Sequence, residues 1–179
     1  MPRLFIAALL PENVKKEISQ IIREADNCFY GVKWESAEKI HITLKFIGNV
    51  RDEITGEISR IVKNSAGRSN SIPLLFSHID AFPDFRNPRV IVLRLANSKE
   101  LQDLNGVIED EMIDIGIEMD KRKFTPHITI GRVKSGFKIK DKALKIRNIN
   151  FLVDHIAVVK SERDKGGSKY INLGVYKLS

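Results

Sequence analysis

Cysteine is nearly absent from this chain of 179 residues; the one present, Cys28, allows no internal disulfide framework and no cysteine-rich metal site, and it reads as a packing residue. Long hydrophobic runs are also missing. No stretch approaches the length needed to cross a bilayer, and the opening MPRLFIAALLPE has only a short apolar segment followed at once by charge. It reads as a first strand, and the expectation is a cytoplasmic protein with no membrane partner. No low-complexity tract or linker interrupts the sequence, so residues 1–179 are expected to form one bilobal domain. Acidic side chains are the scarcer kind: 23 against 30 basic ones give a net charge of +7, which favours a polyanionic partner without naming it. Hydrophobic residues make up 42% of the chain, ordinary for a globular protein with a real core.

One four-residue pattern, His-x-Thr-x, occurs twice: His41-Ile42-Thr43-Leu44 and His127-Ile128-Thr129-Ile130. Each copy lies in a run of β-branched and apolar residues. Side chains two apart on a strand share a face. Each copy should therefore present an imidazole beside a hydroxyl while Ile42 and Leu44, or Ile128 and Ile130, enter the core. Lys45 has the parity of His41 and Thr43, and is expected in the same groove. Arg132 has the opposite parity to His127, unless Gly131 bulges and redirects it. Phe46, at the position matching Arg132, is expected to pack in the core rather than stack a base.

The copies are 86 residues apart, and the same offset lays Pro2-Arg3 on Pro88-Arg89 and the run from Leu4 to Leu10 on Val90 to Ala96. It also lays Ile18, Ile21 and Ile22 on Leu104, Val107 and Ile108, a helical face repeated. The pattern implies a duplicated strand, helix, strand unit with its histidine on the last strand. A pseudo-two-fold arrangement would bring the histidines together across a shared groove. Elsewhere, Pro11 opens the first helix, Ile54, Ile58, Ile61 and Val62 mark a second, and Ser98 is expected to cap a third that Gly116 ends. Ile72 to Ile79 and Arg89 to Leu95 read as neighbouring strands. Phe151 to Lys160 and Lys169 to Leu178 read as a hairpin, with Lys160, Arg163, Lys165 and Lys169 around a Gly166-Gly167 tip that could clamp a nucleic-acid backbone. Residues 135–150 carry no clear pattern. The fold class expected is α+β: two antiparallel-rich sheets around a central groove, helices on the outer faces.

Two imidazoles beside two hydroxyls suit phosphodiester chemistry. One group must take a proton from the attacking water and another must give one to the leaving alkoxide, while donors brace the phosphoryl oxygens. Thr43 and Thr129 are placed to supply hydroxyls, and Lys45 and Arg132 to add charge. Near-symmetry leaves the acid and base assignment open on these residues alone. Neither copy has a carboxylate or cysteine in a ligand spacing, so neither a metal nor any other cofactor is expected. His78 and His155 read as surface or packing residues. A non-catalytic RNA-binding module is the competing class, but binding alone gives no reason for two symmetric imidazole and hydroxyl pairs.

The ordered set Arg3-Leu-Phe-Ile-Ala-Ala8, Val32-Lys-Trp34, His41 to Gly48, Phe82-Pro83, Pro88-Arg89 and Pro126 to Arg132 resembles the RNA 2',3'-cyclic phosphodiesterase family of the two-histidine phosphoesterase superfamily, once described as 2'-5' RNA ligases. The resemblance implies a bilobal, metal-free enzyme opening a terminal 2',3'-cyclic phosphate to a 2'-phosphate. It implies His41 as the proton donor, His127 as the proton acceptor, Thr43 and Thr129 as phosphate holders and Arg132 as a nucleotide or phosphate contact. RNA ends, tRNA fragments among them, are the implied partners of a monomer. Ligation, or hydrolysis of another cyclic or 2'-5' linked nucleotide, is the alternative that the same groups allow.

Overall fold

A computed structural model describes residues 1–96, 99–140, 146–164 and 167–179. Their order is β1 (Arg3–Ala8), α1 (Glu12–Asp26), β2 (Phe29–Trp34), β3 (Ile42–Asn49), α2 (Thr55–Gly67), β4 (Ile72–Phe82), β5 (Val90–Ala96), α3 (Lys99–Ile113), β6 (His127–Ile139), β7 (Asn150–Val153), β8 (His155–Asp164) and β9 (Gly167–Lys177). The class is α+β. The nine strands form a sheet ordered β7-β4-β5-β6-β3-β1-β8-β9, with β2 added against β6. Their pairings are antiparallel.

Reading outward from the middle, β3-β1-β8-β9 mirrors β6-β5-β4-β7, so the duplicated units face each other across the β3 and β6 contact. The two expected sheets are thus halves of one curled surface, joined between β3 and β6 by the single pair Ile42 and Ile128. One apolar core runs through both halves, taking Ile6 and Ile42 from the first, Ile91 and Ile128 from the second, and the inner faces of the helices.

The repeat is not in strict step. Cross-strand register equates Phe5 with Val90 and Ala7 with Val92, one residue short of the motif offset. The buried stripe Val14, Ile18, Ile21, Ala25 of α1 matches Leu101, Asn105, Ile108, Met112 of α3, one residue longer than that offset. Val107, expected on the inner face, is 43% exposed. The segment expected as one strand, Phe151 to Lys160, breaks at Asp154. Its first part, β7, pairs with β4 in one half, and its second, β8, pairs with β1 and β9 in the other. Residues 127–139 form one long strand because β2 covers its far end, which local sequence could not reveal. The expected cap Ser98 and the tip residues Lys165 and Gly166 lie outside the described residues.

Candidate active site

Both motif strands carry a β-bulge at the same position of the repeat. In β3, Ala7 pairs with Thr43 and Ile6 with Lys45, leaving Leu44 extra. In β6, Val92 pairs with Thr129 and Ile91 with Gly131, leaving Ile130 extra. An extra residue inverts the facing of everything after it. Lys45, expected in the groove, is therefore turned to the core face, where it is 3% exposed and ion-paired with Glu109 of α3. Its ammonium also donates to the Glu118 carbonyl at 3.0 Å. Lys45 is thus withdrawn as a phosphate contact, because the alternation that placed it does not survive the bulge. The same device turns Arg132 and Phe46 into the groove. Phe46 is 48% exposed, with the Arg3 guanidinium 4.9 Å from its ring centroid, so it is not a core residue.

The extra residues leave carbonyls to be satisfied, and each finds a donor. Asn105 of α3 donates its side-chain amide to the Leu44 carbonyl at 2.8 Å, and the Glu35 backbone N–H donates to the Ile130 carbonyl at 2.9 Å. Gly131 sits where a Cβ would lie 2.5 Å from Val32 Cγ1 and 2.8 Å from Trp34 Cε3, so only glycine lets β2 close on β6 there.

His41, Thr43, His127, Thr129 and Arg132 line one groove of about 410 Å³. Each imidazole is oriented alike. His41 Nδ1 lies 2.7 Å from the Lys39 carbonyl, and His127 Nδ1 lies 2.7 Å from the Thr125 carbonyl. A carbonyl can only accept, so Nδ1 carries hydrogen in both rings and each Nε2 is the atom available for chemistry. Pro126 favours the extended Thr125 that points this carbonyl back at His127. His41 Nε2 is 3.1 Å from the Thr43 hydroxyl.

The rings differ in their surroundings. His41 stacks on Phe5, centroids 4.8 Å apart, and meets Tyr170 of β9 at 5.4 Å, near perpendicular. His127 packs against Phe82 at 4.8 Å, also near perpendicular. Burial pushes both imidazoles below the ordinary imidazole value. At His41 the backbone carbonyl of Lys39 and the Glu35 carboxylate oppose this while Arg132 and His127 add to it; at His127 the Thr125 carbonyl opposes and Arg94 adds. Arg132 is half exposed and donates through Nε to Glu35 at 2.8 Å, without using either Nη group in that bond.

Glu35, Arg94 and Tyr170 lie in no motif, and Phe5 belongs to one only as part of the opening strand; their place beside the histidines comes from cross-strand neighbours, invisible without the fold. Of the expected basic tip, Arg163 lines the groove, Lys169 is exposed, and Lys160 pairs with Glu162 at 2.8 Å. His78 is exposed and hydrogen-bonded to Ser77, while His155 pairs with Asp154. Among the described residues, no three His, Cys, Asp or Glu side chains gather as a metal-holding group. No helix there is long and apolar enough to cross a membrane.

The family model for LigT-like phosphoesterases matches residues 9–92 and 94–170, each stretch holding one His-x-Thr strand. Among curated proteins, the chain is 31% identical over 174 residues to an RNA 2',3'-cyclic phosphodiesterase of Methanocaldococcus jannaschii, covering 94% of this chain and 96% of that protein. It is 36% identical to one from Thermotoga maritima, over 74% of this chain and 70% of that one. Among solved structures, a Thermus thermophilus protein, TT0787, superposes with a TM-score of 0.88 at 22% identity, covering 98% of this chain and 97% of that one. Escherichia coli LigT complexed with 3'-AMP superposes at 0.77 with 24% identity, over 99% and 98%. With two stretches of the model spanning most of the sequence and a relative matched nearly end to end, the chain belongs to the family of LigT-like phosphoesterases.

Proposed function

We propose that the chain hydrolyses the terminal 2',3'-cyclic phosphate of RNA to a 2'-phosphomonoester by acid and base catalysis from its two histidines, without a metal. The observation that carries this reading is the matched pair of imidazoles. Each has Nδ1–H tied to the carbonyl two residues upstream, and both face one groove with Arg132 beside them. The relatives' shared activity as RNA 2',3'-cyclic phosphodiesterases supports the substrate.

In this reading, His127 Nε2 accepts a proton from water as the water oxygen bonds to phosphorus. The bond from phosphorus to the 3' oxygen breaks, and His41 Nε2–H delivers a proton to that oxygen, leaving the phosphate on the 2' oxygen. The local charges bear on this direction: at His127 the cation Arg94 favours the neutral ring that a base requires, whereas at His41 the Glu35 carboxylate, the largest of the charge effects there, favours the protonated ring that an acid requires against the opposing Arg132 and His127. A bound phosphodiester anion adds to the second effect. Thr43 and Thr129 hold the non-bridging oxygens, and Thr43 exchanges its contact with His41 for one to the phosphate. Arg132, braced by Glu35, offers its Nη edge to the phosphate or nucleotide. Phe46 supplies an exposed ring on the opposite wall on which a base can lie.

The whole of 1–179 acts as one bilobal domain, a cytoplasmic monomer with RNA ends, tRNA fragments included, as substrates. The test is a short RNA ending in a 2',3'-cyclic phosphate, incubated in excess chelator, with 2' and 3' products resolved. A 2'-phosphate is expected. His41→Ala and His127→Ala are each expected to lower the rate by about 10² to 10⁴ with the fold retained. Activity lost to chelator and restored by a divalent cation would defeat the metal-free mechanism, and a 3'-phosphate would reverse the regiochemistry.

A further inference from the structure

At one position beside the motif histidines, the strands that flank them in the two halves carry side chains of different charge. In β5, Arg94 is the cross-strand partner of His127. The corresponding register in the other half, Ala7 with Thr43 and Ala8 with Ile42, brings Leu9 beside His41. One histidine therefore faces a guanidinium where the other faces an aliphatic chain. The guanidinium is also held: Arg94 Nε donates to Asp80 Oδ2 of β4 at 2.8 Å, and its carbon lies 4.4 Å over the centroid of Phe82. Phe82 is the ring against which His127 packs. Asp80, Arg94, Phe82 and His127 thus form a continuous stack across three adjacent strands.

We propose that Arg94, gripped by Asp80 and laid on Phe82, is a positioning residue that gives the groove its chemical direction. It seats the His127 ring and keeps it unprotonated for service as the base, while Leu9 on the other side imposes no such bias on His41. The inference rests on the two-histidine reading above. Among the described residues, no other charged group so placed faces His127. On β4 the carboxylate of Asp80 is engaged by Arg94 and by the Ala81 backbone, with the His78 ring nearby. Across the groove stands His41. Glu35, at the end of β2, and Arg132, on β6 itself, neutralise each other. Arg3, Lys39 and Arg163 complete the charged lining on the other elements. The depression at His127 has burial as its largest cause, with Arg94 the charged residue that contributes.

The experiment is an NMR titration of the His127 ring in the full chain without substrate, alongside the pH dependence of kcat/KM for cyclic-phosphate opening. Arg94→Leu, which copies the Leu9 side, is expected to raise the His127 midpoint by about one pH unit and to leave His41 nearly unmoved. Arg94→Lys is expected to stay close to the parent. Because Arg94→Leu strands the Asp80 carboxylate, Asp80→Asn/Arg94→Leu is titrated too, and the same rise is expected there. The acidic limb of kcat/KM should follow the midpoint upward, so activity at pH 5.5 relative to pH 8 falls several-fold. Should Arg94→Leu not fold, Arg94→Gln carries the same titration. A His127 midpoint unchanged in the double variant, or an acidic limb that stays put while the midpoint moves, overturns the proposal. A parent protein inactive on cyclic phosphate defeats the functional reading instead, and the titration still decides whether Arg94 governs His127.

Discussion

At the scale of single residues, the site is governed by how each imidazole is held. Burial disfavours the charged ring, so both histidines have folded-state values below the ordinary value of about 6.5 that they regain in the unfolded chain. The sign follows from proton counting. As pH falls through that ordinary value, the unfolded chain takes up protons that the folded one refuses, and stability falls with pH. The affected carboxylates, such as Asp80 and Asp154, start from 3.8 and are lowered, so they act only in more acidic solution. Chemical denaturation at pH 7.5 and 5.5 is therefore expected to show lower stability at 5.5. The drop should shrink in a His41→Asn/His127→Asn variant. The histidines and threonines were legible in the sequence because a repeated motif reports itself. Glu35, Phe5 and Tyr170 were not, since no local pattern shows which segments flank β3 and β6 across the groove.

At the scale of elements, the bulge decides which side chains serve the groove. Strict alternation after His41 selects Lys45 and rejects Phe46, and after His127 it rejects Arg132. The extra residue at Leu44 in β3 and at Ile130 in β6 reverses all three assignments. Alternation is a property of an undisturbed strand, and a sequence shows a bulge only obliquely, here through Gly131. That glycine yields a direct test. A methyl group at 131 would press on Val32 and on a Trp34 ring that is fixed by its Nε1–H bond to Asp26 at 2.6 Å. Gly131→Ala is expected to cost about 1–3 kcal/mol in denaturant unfolding, the usual range for overpacking. By pushing β2 away it should also loosen Glu35 from Arg132 and raise KM. The companion bulge is tested by Asn105→Leu, which leaves the Leu44 carbonyl buried without its donor. A loss of about 1–3 kcal/mol is expected, the penalty for an unsatisfied buried group. Stability unchanged by Asn105→Leu would show that the bulge needs no support from α3.

At the scale of the whole molecule, the question is what keeps two similar halves in one alignment when a single residue pair joins their motif strands. The repeat made the pseudo-symmetry readable, but the drift of its register along β5 and α3 hid how the halves interlock. Part of the answer is Lys45, whose strand belongs to the first half and whose partner Glu109 belongs to the helix of the second. Both side chains are largely withdrawn from water, so the pair carries a desolvation cost that offsets much of its attraction. Breaking it is another matter, because a lone charge is then left in the core. Lys45→Met is expected to lose about 3–5 kcal/mol in denaturant unfolding, as expected when one partner of a buried pair is removed. Lys45→Met/Glu109→Leu should recover most of that loss, since the two apolar chains fill the same space without charge. Activity separates alignment from mere stability. If the ion pair sets how β3 sits against α3, the double variant, though stable, should hydrolyse cyclic phosphate more slowly than the parent, the bulge having lost its neighbouring anchor. A double variant as active as the parent would mean that apolar packing alone holds the two histidines in place.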